Sequence, residues 1–398
     1  MNIKKANMVC NYACFFTVPY SAKEFEPYTV HRRPTNTKNI MPNWSNLPEG
    51  VVTLVASKFD GPRSDVIRAL RGVCKPWRAD ISVAVTKATM PKGAEAPVWQ
   101  VLQTTPKLRS LTVVEASEEQ CKTLLAEIRI VKKLVPELDS FVFDDCELDQ
   151  CRMPLSECLG KSTRELTLMN CGFEYYSIDR FCDFQRLTSL NTNVCETYLR
   201  NNDFYIRFWR VIFTELPSLQ VLCLEGFQIC LSTLTVAPNL PNLTSLTLTD
   251  CDIHNPDFLR GLPCLEQLDL DRTHFTESDL VNQLPVSITS LKICNSEYGK
   301  SMILPEGFAR LASRLPLLSA LHLGCDDKVT DDVLKTIASM PSLTRLSVVD
   351  CIHVTDTGIS NLTRSKLEYL EIQDCPNTTH ECVYALRAAA SAIDIIYE

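Results

Sequence analysis

The sequence predicts an α/β solenoid. Short parallel strands line the concave face of a horseshoe, helices cover its convex face, and a small three-helix domain precedes the array. Three observations carry the prediction. The first is a phrase, apolar-x-x-apolar-x-apolar, that occurs eleven times between Leu108 and Leu370, with threonine in one apolar place in two copies, Thr163 and Thr192. Clear copies are Leu243-Thr-Ser-Leu246-Thr-Leu248, Leu343-Thr-Arg-Leu346-Ser-Val348 and Leu367-Glu-Tyr-Leu370-Glu-Ile372. The second is spacing. Leading positions fall at 108, 138, 163, 187, 219, 243, 265, 288, 318, 343 and 367, most of them within the roughly 20–29 residues that one strand plus one helix occupies. The steps after 108, 187 and 288 are longer and leave room for loops or longer helices. The third is punctuation. Pro106, Pro136, Pro217, Pro241, Pro263, Pro316 and Pro341 each stand two residues before a leading position. A proline there has no amide to donate and disfavours helical geometry in its predecessor, so it separates helix end from strand start.

Each unit therefore reads strand, loop, helix, proline stop. Successive strand side chains point to opposite faces, so the leucines of the phrase turn inward and the residues between them line the concave surface. One unit cannot bury its own apolar side, and neighbours must stack. A phrase of this form at this period is the signature of a leucine-rich repeat solenoid. Six copies carry cysteine at the ninth position: Cys146, Cys171, Cys195, Cys251, Cys351 and Cys375. There the chain leaves the strand, and a small side chain that can bond the loop backbone is favoured. A buried thiol is a compact hydrophobe with a weak donor. With Asp250-Cys251, Asp350-Cys351, Asp374-Cys375, Val329-Thr-Asp331 and Val354-Thr-Asp356, the C-terminal third resembles the cysteine-containing subclass of these repeats.

Composition bounds the rest. The 398 residues suit a long solenoid plus one small domain. A formal charge of -8 argues against non-specific binding to nucleic acid. Nineteen cysteines, spread along the chain and largely at core positions, read as reduced thiols. That reading places the protein in the cytoplasm, the nucleus or both. No apolar run reaches the roughly 18 residues of a membrane span. Residues 1–40 read as a poorly ordered tail, residues 41–90 as a helical domain and residues 91–398 as the repeats.

Within 41–90, Pro48 suits the first turn of a helix, where its missing amide costs nothing. Val51, Val52, Val55 and Phe59 then fall on one apolar face. A second short helix carries Val66, Ile67 and Leu70, and a third begins near Cys74. Three helices in some forty residues are marginal alone and need a neighbour or partner to cover their apolar side. Leu47-Pro48, Val51, Val52, Val55, Phe59 and Val73-Cys74-x-x-Trp77 resemble an F-box, with Gly50 and the longer 60–72 segment departing from the family's pattern. An F-box followed by leucine-rich repeats resembles the substrate receptors of SCF-type ubiquitin ligases.

The resemblance implies that Leu47, Pro48, Val51, Val52, Val55, Phe59, Val73 and Trp77 dock on a Skp-type adaptor, and through it a cullin, while the solenoid holds a protein substrate. It implies no catalytic residue, cofactor or metal. The alternative is a non-degradative scaffold whose N-terminal helices only cap the array. On the concave face, candidate substrate contacts are Glu165, Asn191, Asn193, Glu225, Thr247, Asp269, Asp271, Tyr369 and Glu371. The carboxylates at Glu225, Asp269 and Asp271 would suit a basic segment; equally, polar residues on an open strand face keep it soluble. Neither a GxxxxGK[ST] nor a GxSxG motif occurs, and the cysteines lack paired zinc-finger spacing.

Overall fold

The structure is a computed structural model. It describes residues 86–90, 107–132, 135, 137–148, 155–171, 178–193, 202–229, 239–253, 256–275, 280–294, 303, 305–325 and 327–397. The chain divides into two compact units, residues 1–112 with 130–138, and residues 113–129 with 139–398. The expected tail and the helical domain as far as residue 85 lie outside the described residues. Lys87–Met90, at the end of the segment read as helical, is a strand, β1. In the smaller unit, Thr86 O accepts the amides of Arg109 (2.7 Å) and Ser110 (3.0 Å), tying β1 to the start of β2 (Ser110–Val114).

The remaining long strands are β3 (Ser140–Asp144), β4 (Glu165–Met169), β5 (Ser189–Asn193) and β6 (Val221–Glu225). A two-residue strand β7 (Gln228–Ile229) comes before β8 (Ser245–Thr249), and β9 (Asp252–Ile253) before β10 (Gln267–Asp271). After β11 (His274–Phe275) come β12 (Ser290–Cys294), β13 (Ala320–Gly324), β14 (Arg345–Val349), β15 (Tyr369–Gln373) and β16 (Asp394–Tyr397). Thirteen of them form one sheet in the order β1-β2-β3-β4-β5-β6-β8-β10-β12-β13-β14-β15-β16, and β11-β9-β7 form a second. Each strand lies beside the next in the chain, in parallel and in phrase register: Leu246 aligns with Leu268, then Leu291, Leu321, Leu346 and Leu370. A slip of one residue would turn every buried leucine outward, so the burial pattern holds the register. This is a leucine-rich repeat solenoid. The sheet includes two strands, β1 and β16, that the eleven-copy count leaves out.

The interior is the row of phrase positions. Leu187, Leu190, Leu219, Leu222, Leu243, Leu248, Leu265 and Leu270 are fully buried. Each such side chain is worth roughly 1.5–3 kcal/mol in transfer from water. Proline works as a turn former. Leu219 donates to Leu216 O (3.1 Å), Leu243 to Leu240 O (3.2 Å), Leu265 to Leu262 O (3.2 Å) and Leu318 to Leu315 O (3.2 Å). Pro217, Pro241, Pro263 and Pro316 thus occupy the second position of a β-turn, where their fixed φ is already correct.

The three long steps each hold a long helix: α1 (Glu118–Val131), α3 (Asn202–Glu215) and α5 (Pro305–Arg314). In the shorter steps the expected helix shrinks. Among the described residues those steps hold α2 (Leu155–Leu159), α4 (Leu280–Gln283), α6 (Asp331–Ile337) and α7 (Asp356–Ser360), or 3-10 segments such as Ile178–Asp183 and Pro256–Gly261. The tighter 3-10 turn spans the same connection with fewer residues. In α3, Phe208 and Trp209 are buried, and Phe208 stacks on Phe227 at 4.7 Å. These two aromatic side chains serve packing.

Ninth-position cysteines stitch one repeat to the one before. Cys146 Sγ reaches Val113 O (3.6 Å), Cys171 Sγ reaches Phe143 O (3.5 Å), Cys251 Sγ reaches Leu224 O (3.7 Å) and Cys375 Sγ reaches Val348 O (3.6 Å). Thr273 fills the same place with a hydroxyl 2.8 Å from Leu248 O. The residue before turns through the left-handed region at Asp145, Asn170, Gly226, Asp250, Asp350 and Asp374. Asn, Asp and Gly tolerate that region best. It lets the amide of Asp145 bond Met169 O (2.9 Å) and that of Asp250 bond Asp271 O (2.9 Å), which extends the ladder beyond each strand.

In the last repeats aspartates link successive helix starts. Asp331 accepts from the Thr355 amide (2.8 Å) and hydroxyl (2.6 Å), and Asp356 from the Thr379 amide (2.7 Å) and hydroxyl (2.8 Å). Thr355 and Thr379 cap α7 and α8 (His380–Ala389) in turn. A Cβ at Gly358 would collide with Asp331 Oδ1, so this helix turn requires glycine.

Candidate protein-binding face

Alternation along the strands brings residues distant in the sequence onto one open face, most of them polar. In β4 the outward residues are Glu165, Thr167 and Met169, and in β10 they are Gln267, Asp269 and Asp271, with leucines buried between. Register then sorts them into rows across the sheet. One row runs Cys223, Thr247, Asp269, Lys292, His322, Ser347, Glu371. Another runs Ser245, Gln267, Ser290, Ala320, Arg345, Tyr369.

Because Ser290 and Ala320 are small, the face dips into a trough of about 360 Å³ lined from β8, β10, β12, β13, β14 and β15. Neighbouring strands lie about 4.8 Å apart, so six of them span roughly 24 Å, the length of about seven extended residues. Of the candidate contacts, Thr247, Asp269, Tyr369 and Glu371 line the trough. Glu165, Asn191, Asn193, Glu225 and Asp271 lie on the same face but outside it. Asn193 is engaged with Asn170, donating from Nδ2 to its Oδ1 at 2.8 Å. The eight adaptor-docking candidates, Leu47 to Trp77, lie outside the described residues.

Several charges on the face are matched by neighbours. Lys292 Nζ is 3.3 Å from Asp269 Oδ2, and Arg272 holds Asp271 at 3.1 Å while gripping Asp250 through two bonds of 2.9 Å. Two of the three carboxylates that suggested a basic ligand therefore already have cations. Burial pushes the Asp269 carboxyl above its ordinary range, with Lys292 opposing the shift. Among the described residues its buried Oδ1 has no hydrogen-bond partner. Burial, aided by neighbouring Lys292, holds the His322 imidazole below its usual value. Ser347 Oγ donates to Glu371 at 2.7 Å, and the Arg345 guanidinium lies 4.6 Å above the Tyr369 ring. With Lys292 and Arg345 set against Asp269 and Glu371, the lining of the trough is balanced in charge.

Lys292, His322 and Arg345 also line the trough, and the phrase at 288, 318 and 343 places them on the face by the same spacing as the candidate contacts. What the sequence did not carry is that small neighbours at Ser290 and Ala320 recess this stretch. Elsewhere, His380 packs edge-on against Tyr397 at 4.8 Å and Cys382 Sγ bonds Asp356 O at 3.3 Å, so this pair serves packing. Among the described residues no group of three or more His, Cys, Asp or Glu is placed to hold a metal ion, and no helix is long and apolar enough to cross a membrane.

No protein-family model matches the chain, and no curated protein matches its sequence. Among solved structures, the chain is similar to an internalin from Listeria monocytogenes, at 14% identity over 84% of this chain and 94% of that one, with a TM-score of 0.45. It is also similar to the yeast Rad7 and Elc1 complex, at 13% identity over 87% and 86% of the two chains, with a TM-score of 0.46. The leucine-rich repeat assignment itself rests on strand order, register and the buried phrase positions described above.

Proposed function

We propose that this chain is the non-catalytic substrate-recognition subunit of an SCF-type ubiquitin ligase. The helices around Leu47-Pro48 dock on a Skp-type adaptor, which joins a cullin, and the strand face holds a protein substrate in the cytoplasm or nucleus. The observation that carries the binding half is the trough across β8–β15: open, lined by polar and apolar groups alike, balanced in charge and as long as a short extended segment. The adaptor half is supported by the F-box-like residues Leu47, Pro48, Val51, Val52, Val55, Phe59, Val73 and Trp77 ahead of the repeats. Such a receptor contributes to rate by proximity, keeping acceptor lysines at high local concentration beside a charged conjugating enzyme. It needs no nucleophile, base or metal of its own.

The test is co-purification of adaptor and cullin with the intact chain, compared with Leu47→Ala/Pro48→Ala, with Trp77→Ala and with deletion of 44–84. Loss of adaptor in the variants, with circular dichroism of the point variants unchanged, is the expected outcome; undiminished binding refutes the docking role. A second reading, a non-degradative scaffold whose N-terminal helices only cap the array, is favoured by the trough alone, since that feature needs no adaptor. It is the conclusion if the intact chain captures partners but no adaptor or cullin.

A further inference from the structure

We propose a second binding site, for a phosphoryl group, at the rim where the chain enters strands β4, β5 and β6. A cavity of about 310 Å³ is lined there by Arg164, Arg186, Thr188, Ser218, Gln220 and Asn242. The repeat geometry builds it. Arg164, Thr188 and Gln220 each immediately precede a strand, and Arg186, Ser218 and Asn242 sit in the turns that lead into β5, β6 and β8. Stacking brings these equivalent positions side by side, so residues spread over 79 positions of the sequence meet at one place.

The chemistry of this lining is one-sided. It contains two guanidinium groups and no carboxylate, in a chain whose net charge is -8. The hydroxyls of Thr188 and Ser218 already donate to Arg164 O (3.1 Å) and Gln185 O (2.9 Å), and the Asn242 amide donates to Pro217 O (2.9 Å). The donors left over are chiefly the two guanidinium forks. Arg164 keeps only a long contact with Asp139, 3.6 Å, and among the described residues no carboxylate pairs with Arg186.

Two planar forks suit a dianion with three terminal oxygens, which can accept paired bonds from both and balances both positive charges; a carboxylate brings one negative charge to two cations. The cavity is also roomier than a carboxylate requires. The ligand is therefore a phosphoryl group, carried either on a side chain of a protein segment or as free phosphate. The site does not depend on adaptor docking, and it lies apart from the residues of the β8–β15 trough.

The experiment is titration calorimetry of the intact chain with inorganic phosphate and with a short glycine-flanked phosphoserine peptide. The unphosphorylated peptide and chloride at matched ionic strength serve as references. Binding of the phosphopeptide but not its unphosphorylated counterpart assigns the site to a modified side chain. Binding of inorganic phosphate alone assigns it to the free ion. Arg186→Gln is expected to weaken either ligand at least tenfold, in keeping with loss of a bidentate charge-assisted pair. Asn242→Asp, which puts a carboxylate into the cavity without removing an arginine, is expected to do the same. Circular dichroism of both variants checks the fold, and the second keeps the result decisive if the first unfolds. No heat beyond the chloride reference, or affinity unchanged in both variants, overturns the proposal.

Discussion

Thr273 offers a direct measurement of what the ninth position does. Its side chain is 2% exposed, and its hydroxyl donates to Leu248 O in the preceding repeat at 2.8 Å, where five other repeats use a cysteine thiol at 3.5–4.0 Å. Thr273→Val keeps the shape but removes the donor, so no sizeable cavity forms and the cost is that of an unmade buried hydrogen bond. That cost is about 1–2 kcal/mol. Thr273→Cys restores a weak donor in the arrangement of Cys251 and its neighbours, and should cost less than about 1 kcal/mol. Urea unfolding followed by circular dichroism separates the two, with midpoints compared only where the slope is unchanged, because repeat arrays can lose cooperativity. If Thr273→Val matches the parent within about 0.3 kcal/mol, or Thr273→Cys is the worse of the pair, the stitching role assigned to this position is wrong.

Other outcomes follow from the same structure. Gly358→Ala should destabilise by more than about 1 kcal/mol, through collision of its Cβ with Asp331; in an Asp331→Ala background the same change should cost much less, a non-additivity that a double-mutant cycle reads directly. Leu270→Ala, at a fully buried position, should cost roughly 2–5 kcal/mol by urea unfolding, and a smaller loss would mean that the repeat collapses around the gap. His322 carries a lowered pKa in the fold, so below pH 6.5 the unfolded chain takes up its proton first. The stability tied to the neutral ring is then complete above pH 6.5 and is lost as pH falls through that value towards the folded-state pKa. His322→Gln should flatten the acid side of the stability profile, and an unchanged slope would count against the burial that sets the shift.

How legible the site was depended on whether a residue's meaning is local. Glu165, Asp269 and Tyr369 could be placed on the open face from the phrase alone, because strand alternation is a local rule. The ion pairs could not. Lys292 stands 23 residues from Asp269 and Arg272 stands 22 from Asp250, and only the parallel register sets them side by side. The acidity suggested by Asp269 and Asp271 is cancelled by neighbours from the next strand or the strand end. The rim cavity at Arg164 and Arg186 had no signal in the linear spacing, since its two arginines occupy different positions of the phrase and meet only through stacking.

The sequence by itself determined the repeat: its period, the buried leucines, the proline turns and the cysteine position all follow from steric and hydrophobic rules that act within one unit of some 24 residues. Even the three long helices were foreshadowed by the three long steps. Tertiary structure alone decided which surface residues share a row, which charges cancel and where small side chains at Ser290 and Ala320 open a trough. The reason is physical. Burial is set mainly by a residue's own place in its repeat, whereas electrostatics and shape on a sheet depend on contacts between residues some two dozen positions apart, which exist only once neighbouring repeats have stacked in register.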